Sequence, residues 1–173
     1  MLPTELDELL SFIIGLGLKP SASHPMQIPL ILCELQTQSD SNHIKRHALN
    51  LFKVELQTRM HSYDLPGTTD TTADLDFDDV TRKLNGIISR LSFHQMRIEA
   101  TLDSLDYIKQ CERYFRRDTA ANELALVSRL DQIENENRAL LAEVKMNQRI
   151  AQSQLDVVSW VDVRQKTPIA KIE

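Results

Sequence analysis

Glycine and aromatic side chains are scarce in this chain: four glycines among 173 residues and an aromatic content of 5%. Sheet folds use glycine at turns and bulges and aromatics across strand pairs, so a sandwich or a doubly wound α/β domain fits poorly. Cysteine is limited to Cys33 and Cys111. Two thiols so far apart match no metal-ligand spacing and no disulfide framework, and both are expected as buried free thiols in a reducing, cytoplasmic setting.

Long apolar runs are missing as well. The longest, Leu9 to Leu18, is interrupted by Ser11, Gly15 and Gly17, and a bilayer-spanning helix needs about 20 apolar residues. Glu5, Asp7 and Glu8 stand where a secretory signal needs a basic leading region. A surplus of positive charge is also lacking. The net charge of −5 argues against nucleic acid as the main partner, although it leaves room for a local basic patch. No glycine-rich phosphate loop, nucleophile elbow or paired Cys/His constellation occurs, so neither catalysis nor a resident cofactor is expected.

What the chain does hold is 26% charged and 42% hydrophobic residues, the balance of amphipathic helices with one wet face. Residues 1–23 read as a short helix over 4–16, with Leu6, Leu9, Leu10 and Ile13 as its stripe, followed by a Ser/Pro connector. Residues 24–167 read as one helical bundle. A helix is expected from Ile28 to about Tyr63, with Pro29 tolerated in its first turn and Leu32, Leu35, Ile44, Ala48, Leu51, Phe52, Leu56 and Met60 as its apolar positions. The polar interval Gln36–Asn42 marks a weak point, a break or an exposed turn. Residues 64–75 form a linker opened by the Pro66-Gly67 turn signal.

Two stronger patterns follow. Phe77, Val80, Leu84, Ile87, Leu91, Ile98, Leu105 and Ile108 recur at alternating spacings of three and four, with His94 and Thr101 filling the gaps; this predicts a helix over about 76–116. Leu126, Leu130, Ile133, Asn137, Leu140, Val144, Asn147, Ala151, Gln154, Val158 and Val161 continue the pattern on a helix over about 119–167, which Pro168 stops before the tail 168–173. The predicted fold class is all-α: an elongated bundle in which these two long antiparallel helices form a coiled-coil-like hairpin. A single bent helix is the alternative. The seam Leu126, Leu130, Ile133, Asn137, Leu140, Val144, Ala151, Val158 and Val161, widened by Val127, Leu141 and Leu155, predicts a homo-oligomer, because one hairpin covers so broad a stripe only in part.

Candidate chemistry is thin. Asp76, Asp78 and Asp79, near Asp74, suggest N-terminal capping more than a cation site, since they lack the glycine and closing glutamate of a calcium loop. His43 and His47 form a helical i, i+4 pair, but Lys45 and Arg46 lie between them and would repel a metal ion. Trp160, the single tryptophan, is expected to anchor packing or to mark an interface with a partner or membrane.

Three segments carry a family resemblance. His24-Pro25 with Leu30 to Leu35, Phe77 to Asn85 with Ser89-Arg90-Leu91, and Glu136 to Leu141 followed by Arg149 to Leu155 together resemble the cytosolic region of fungal CorA-like proteins, relatives of the CorA magnesium transporters. The resemblance implies a truncated or degenerate stalk module associated with magnesium transport, with magnesium entering by family likeness alone and a full-length CorA-like protein as a partner. Family members are membrane proteins whose stalk continues into a pore closed by a Gly-Met-Asn signature; this chain has neither feature, so transport by it alone is not expected. A free-standing coiled-coil scaffold is the alternative.

Overall fold

A computed structural model describes residues 26–58, 76–115 and 120–166, with side chains defined over 26–58, 76–111 and 125–160. The expected helix 4–16, the linker 64–75 and the tail lie outside the described residues. Three helices make up the rest: α1 (Gln27–Thr58, 32 residues), α2 (Phe77–Phe115, 39 residues) and α3 (Ala120–Lys166, 47 residues). At 1.5 Å per residue they measure about 48, 58 and 70 Å. No helix among the described residues is long and apolar enough to cross a membrane.

Local chemistry explains where α2 begins. Asp76 Oδ1 accepts the backbone N–H groups of Asp78 and Asp79, each at 3.1 Å, so one carboxylate satisfies two of the donors that a helix start leaves without partners. Asp79 then pairs with Lys83 one turn on, at 2.6 Å.

The three helices form one bundle with neighbours in sequence running antiparallel. Lys109 of α2 pairs with Asp131 and Glu134 near the start of α3, whereas Ser92, earlier in α2, receives a hydrogen bond from Gln148, later in α3. Glu34 of α1 meets Arg129 of α3, and Asp40 meets His94, so α1 runs parallel to α3 and against α2.

Every helix turns the same kind of seam inward. The buried positions of α2 and α3 are the three-four series of the sequence, from Val80 to Ile108 and from Leu126 to Val158, polar members included. Leu141 and Leu155 pack half-buried against the core. The stripe expected to need a second chain is therefore covered by α1 and α2 of its own; the side chain of Val161 is outside the described set.

The expectation for α1 requires correction. Its inward positions are Leu30, Cys33, Thr37, Asp40, Ile44, His47, Leu51, Val54 and Thr58, an unbroken three-four series, with Ile31 buried beside it. Leu32, Phe52 and Leu56, expected in the core, are exposed. Gln36–Asn42 is neither a break nor a turn but continuous helix, because two of its polar residues face inward and find partners there. Cys33 is buried as expected, and burial raises its thiol pKa; Cys111 is only half-buried.

Candidate functional site

The core divides into two apolar clusters. One, at the start of α1, joins Leu30 and Cys33 to Leu105, Ile108, Leu126, Leu130 and Ile133. The larger one runs from Ile44 to Val54 with the facing parts of α2 and α3. Polar side chains fill the seam where these clusters meet, and they form the most distinctive site in the molecule.

Asp40 is its centre. The side chain is 0% exposed, and Oδ1 accepts from His94 Nδ1 at 2.7 Å and forms an ion pair with Arg97, whose Nε is 3.4 Å away. Its second oxygen accepts from Gln36 Nε2 at 2.6 Å. A buried carboxylate with partners on both oxygens, two of them cationic or able to become so, is held without the full cost of desolvation. One turn before Asp40, Thr37 donates to the Cys33 carbonyl at 2.7 Å and accepts from Asn137 Nδ2 at 2.7 Å. Asn137 also donates to the Ile133 carbonyl at 2.9 Å, while its Oδ1 is buried without a partner. Asp40 thus ties α1 to α2, and Thr37 ties α1 to α3.

Histidines gather on the other side of Asp40. The ring of His43 stacks on His94 with centroids 5.4 Å apart, and His47 lies 5.5 Å from the same ring at a tilt of 46°. Phe93 meets His94 edge-on, and its other contact is the Arg97 guanidinium, 5.6 Å from the ring centroid. His47 is buried, with Nδ1 unpartnered. Desolvation lowers its pKa below the ordinary 6.5, and the charges of His94, Arg90, His43 and Arg46 push it the same way.

Sequence reasoning found the His43–His47 spacing but not the third ring, which comes from α2, nor the carboxylate between them. Asp76, Asp78 and Asp79 are not part of this site; at the start of α2 Asp76 caps the helix, Asp79 pairs with Lys83, and Asp78 is exposed. Among the described residues, no three His, Cys, Asp or Glu side chains are placed to hold a metal ion together. Asn137 occupies the seam as the spacing required, whereas Trp160 is 55% exposed at the far end of α3 rather than buried.

These features define a class: an all-helical bundle with a polar layer set into an otherwise apolar seam. No protein-family model, curated protein or solved structure matches the chain.

Proposed function

We propose that this protein is a helical scaffold that works by association, not by catalysis, and that its outer faces, not its seam, carry the contacts. The observation that supports this reading is on α1. Leu49, Phe52 and Leu56 are 62%, 52% and 45% exposed, and their three-four spacing places them along one line opposite the inward series Leu51, Val54, Thr58. A line of large apolar groups left in water on a helix that already buries its own seam is the mark of a surface that meets another protein. In this reading the coiled-coil-like pairing of α2 and α3 supplies a stiff support, α1 lies across it, and self-association, expected from the sequence through the seam of α3, takes place through α1 instead.

Sedimentation velocity across a concentration series tests the proposal, with wild type beside a triple variant Leu49→Glu, Phe52→Glu, Leu56→Glu. The wild type should associate and the variant should sediment as a monomer with an unchanged thermal melt. A wild type that stays monomeric at high micromolar concentration would remove the support for self-association.

The stalk reading stands as a second proposal, supported by the three resembling segments, whose described residues lie on α1, α2 and α3 and share one bundle. A run of about 20 apolar residues encoded directly downstream of Glu173 would favour it over a free scaffold.

A further inference from the structure

The net charge of −5 leaves room for a local basic patch, and the packing of α1 on α2 assembles one. A groove of about 390 Å³ runs between the two helices, lined by the cations Lys53, Arg82, Lys83 and Arg90 and, among the described residues, by no carboxylate. Lys83 is engaged by Asp79; Lys53, Arg82 and Arg90 have no ion-pair partner among the described residues. In a chain of net charge −5, three unpaired cations along one groove are a local reversal of sign. The surplus is felt inside the bundle, since Arg90 is among the charges that disfavour a proton on nearby His47.

The groove also has room and depth. Its wall includes Gly86, where an added Cβ would meet nothing within 4 Å. Glycine in a helix interior is usually unfavourable compared with alanine, and here its effect is to leave the space between Arg82 and Arg90 open. Val54 and Ile87, both buried, form the apolar floor. Two guanidinium forks and a lysine match the oxygens of a phosphate, and three positive charges suit an anion of charge two or more better than a single carboxylate.

We infer that the α1–α2 groove is a binding site for a multiply charged phosphate group, held by Arg82, Arg90 and Lys53. The same chemistry is offered by a free phosphate compound and by a phosphorylated lipid headgroup, and the experiment separates these sources. The whole chain is titrated calorimetrically with inorganic pyrophosphate at low salt. In parallel it is sedimented with phosphatidylcholine vesicles, with and without a phosphoinositide. The variants are Arg82→Glu with Arg90→Glu, Gly86→Leu, and Lys145→Glu on α3 as a charge control.

Saturable binding of either probe is expected. The double reversal should weaken it by at least about tenfold, the loss expected when charge-assisted hydrogen bonds are removed. Gly86→Leu should weaken it comparably while leaving the thermal melt intact or raised, because its Cβ enters open space in the groove and leucine is a better helix former than glycine. Lys145→Glu should change affinity by less than about twofold. Binding of pyrophosphate assigns a free phosphate ligand, and binding of the phosphoinositide vesicles alone assigns a headgroup. No saturable binding of either probe would overturn the inference, as would an equal loss in Lys145→Glu or undiminished binding in a folded Gly86→Leu.

Discussion

His47 shows how a buried side chain turns pH into stability. Its pKa in the bundle is lowered from 6.5 by burial first, then by His94 and Arg90 of α2 and by His43 and Arg46 on its own helix. Asn147 of α3 lies at the matching level, ten residues beyond Asn137 as His47 is ten beyond Thr37, and contributes no charge. Because the bundle binds this proton more weakly than the unfolded chain does, the unfolded state is protonated first as pH falls. The stabilising preference is therefore complete above about pH 7 and is lost as pH drops through 6.5 toward the lower folded value. Urea midpoints of wild type and His47→Gln at pH 7.5 and 5.5 should show the wild type losing more stability over that interval. Equal losses would mean that His47 is not the group responsible. Further down, Glu134, whose pKa is lowered chiefly by Lys109 and then by Arg138, adds stability that disappears as pH falls below the usual carboxylate range.

At the scale of the element, polar seam positions trade stability for register. Asn137 is 0% exposed, and its amide nitrogen is satisfied by Thr37 and the Ile133 carbonyl while its oxygen is not. Replacing it with Leu removes an unpaired buried acceptor, and Thr37 retains its bond to the Cys33 carbonyl. Asn137→Leu should therefore stabilise the bundle by about 1 kcal/mol, with the larger side chain as the opposing effect. Denaturant unfolding measures the change; a loss of more than about 1 kcal/mol would show that the amide contributes more than it costs. The same trade explains which helices were legible in sequence. In α2 and α3 most inward positions are Leu, Ile or Val, so the three-four series stands out. In α1 the inward set includes Thr37, Asp40, His47 and Thr58, and a reading by hydrophobicity passed over these and added Leu32, Phe52 and Leu56, which are exposed. The spacing signal was present in Leu30, Cys33, Ile44, Leu51 and Val54, but only to a reader willing to put a carboxylate in a core. The site itself was hidden for a different reason: Asp40 and His94 lie 54 positions apart, and no local pattern links them.

For the whole molecule, α1 closes the bundle. Without it the α2–α3 seam would stand open along one side, which is why the sequence suggested a second chain. The closure is fastened at several levels: Glu34 to Arg129 near one end, Thr37 to Asn137 and Asp40 to His94 in the polar layer, and Ile44, Leu51 and Val54 in the larger apolar cluster. The surface pair is worth little on its own. The apolar contacts supply most of the free energy, at roughly 1.5–3 kcal/mol for each large side chain fully buried. The polar layer selects the arrangement, since sliding α1 by one turn would carry Asp40 away from the His94 ring that holds it.

That selection is the central claim, and a double-mutant cycle on Asp40 and His94 tests it most directly. Asp40→Ala, His94→Ala and the double variant would be unfolded in urea at pH 7. If α1 is held in this register by the buried pair, the two single changes should each destabilise, and the cycle should return a coupling energy above about 1.5 kcal/mol, in the range found for interacting buried partners. Additive effects, with coupling within about 0.5 kcal/mol of zero, would contradict the account and place Asp40 and His94 apart.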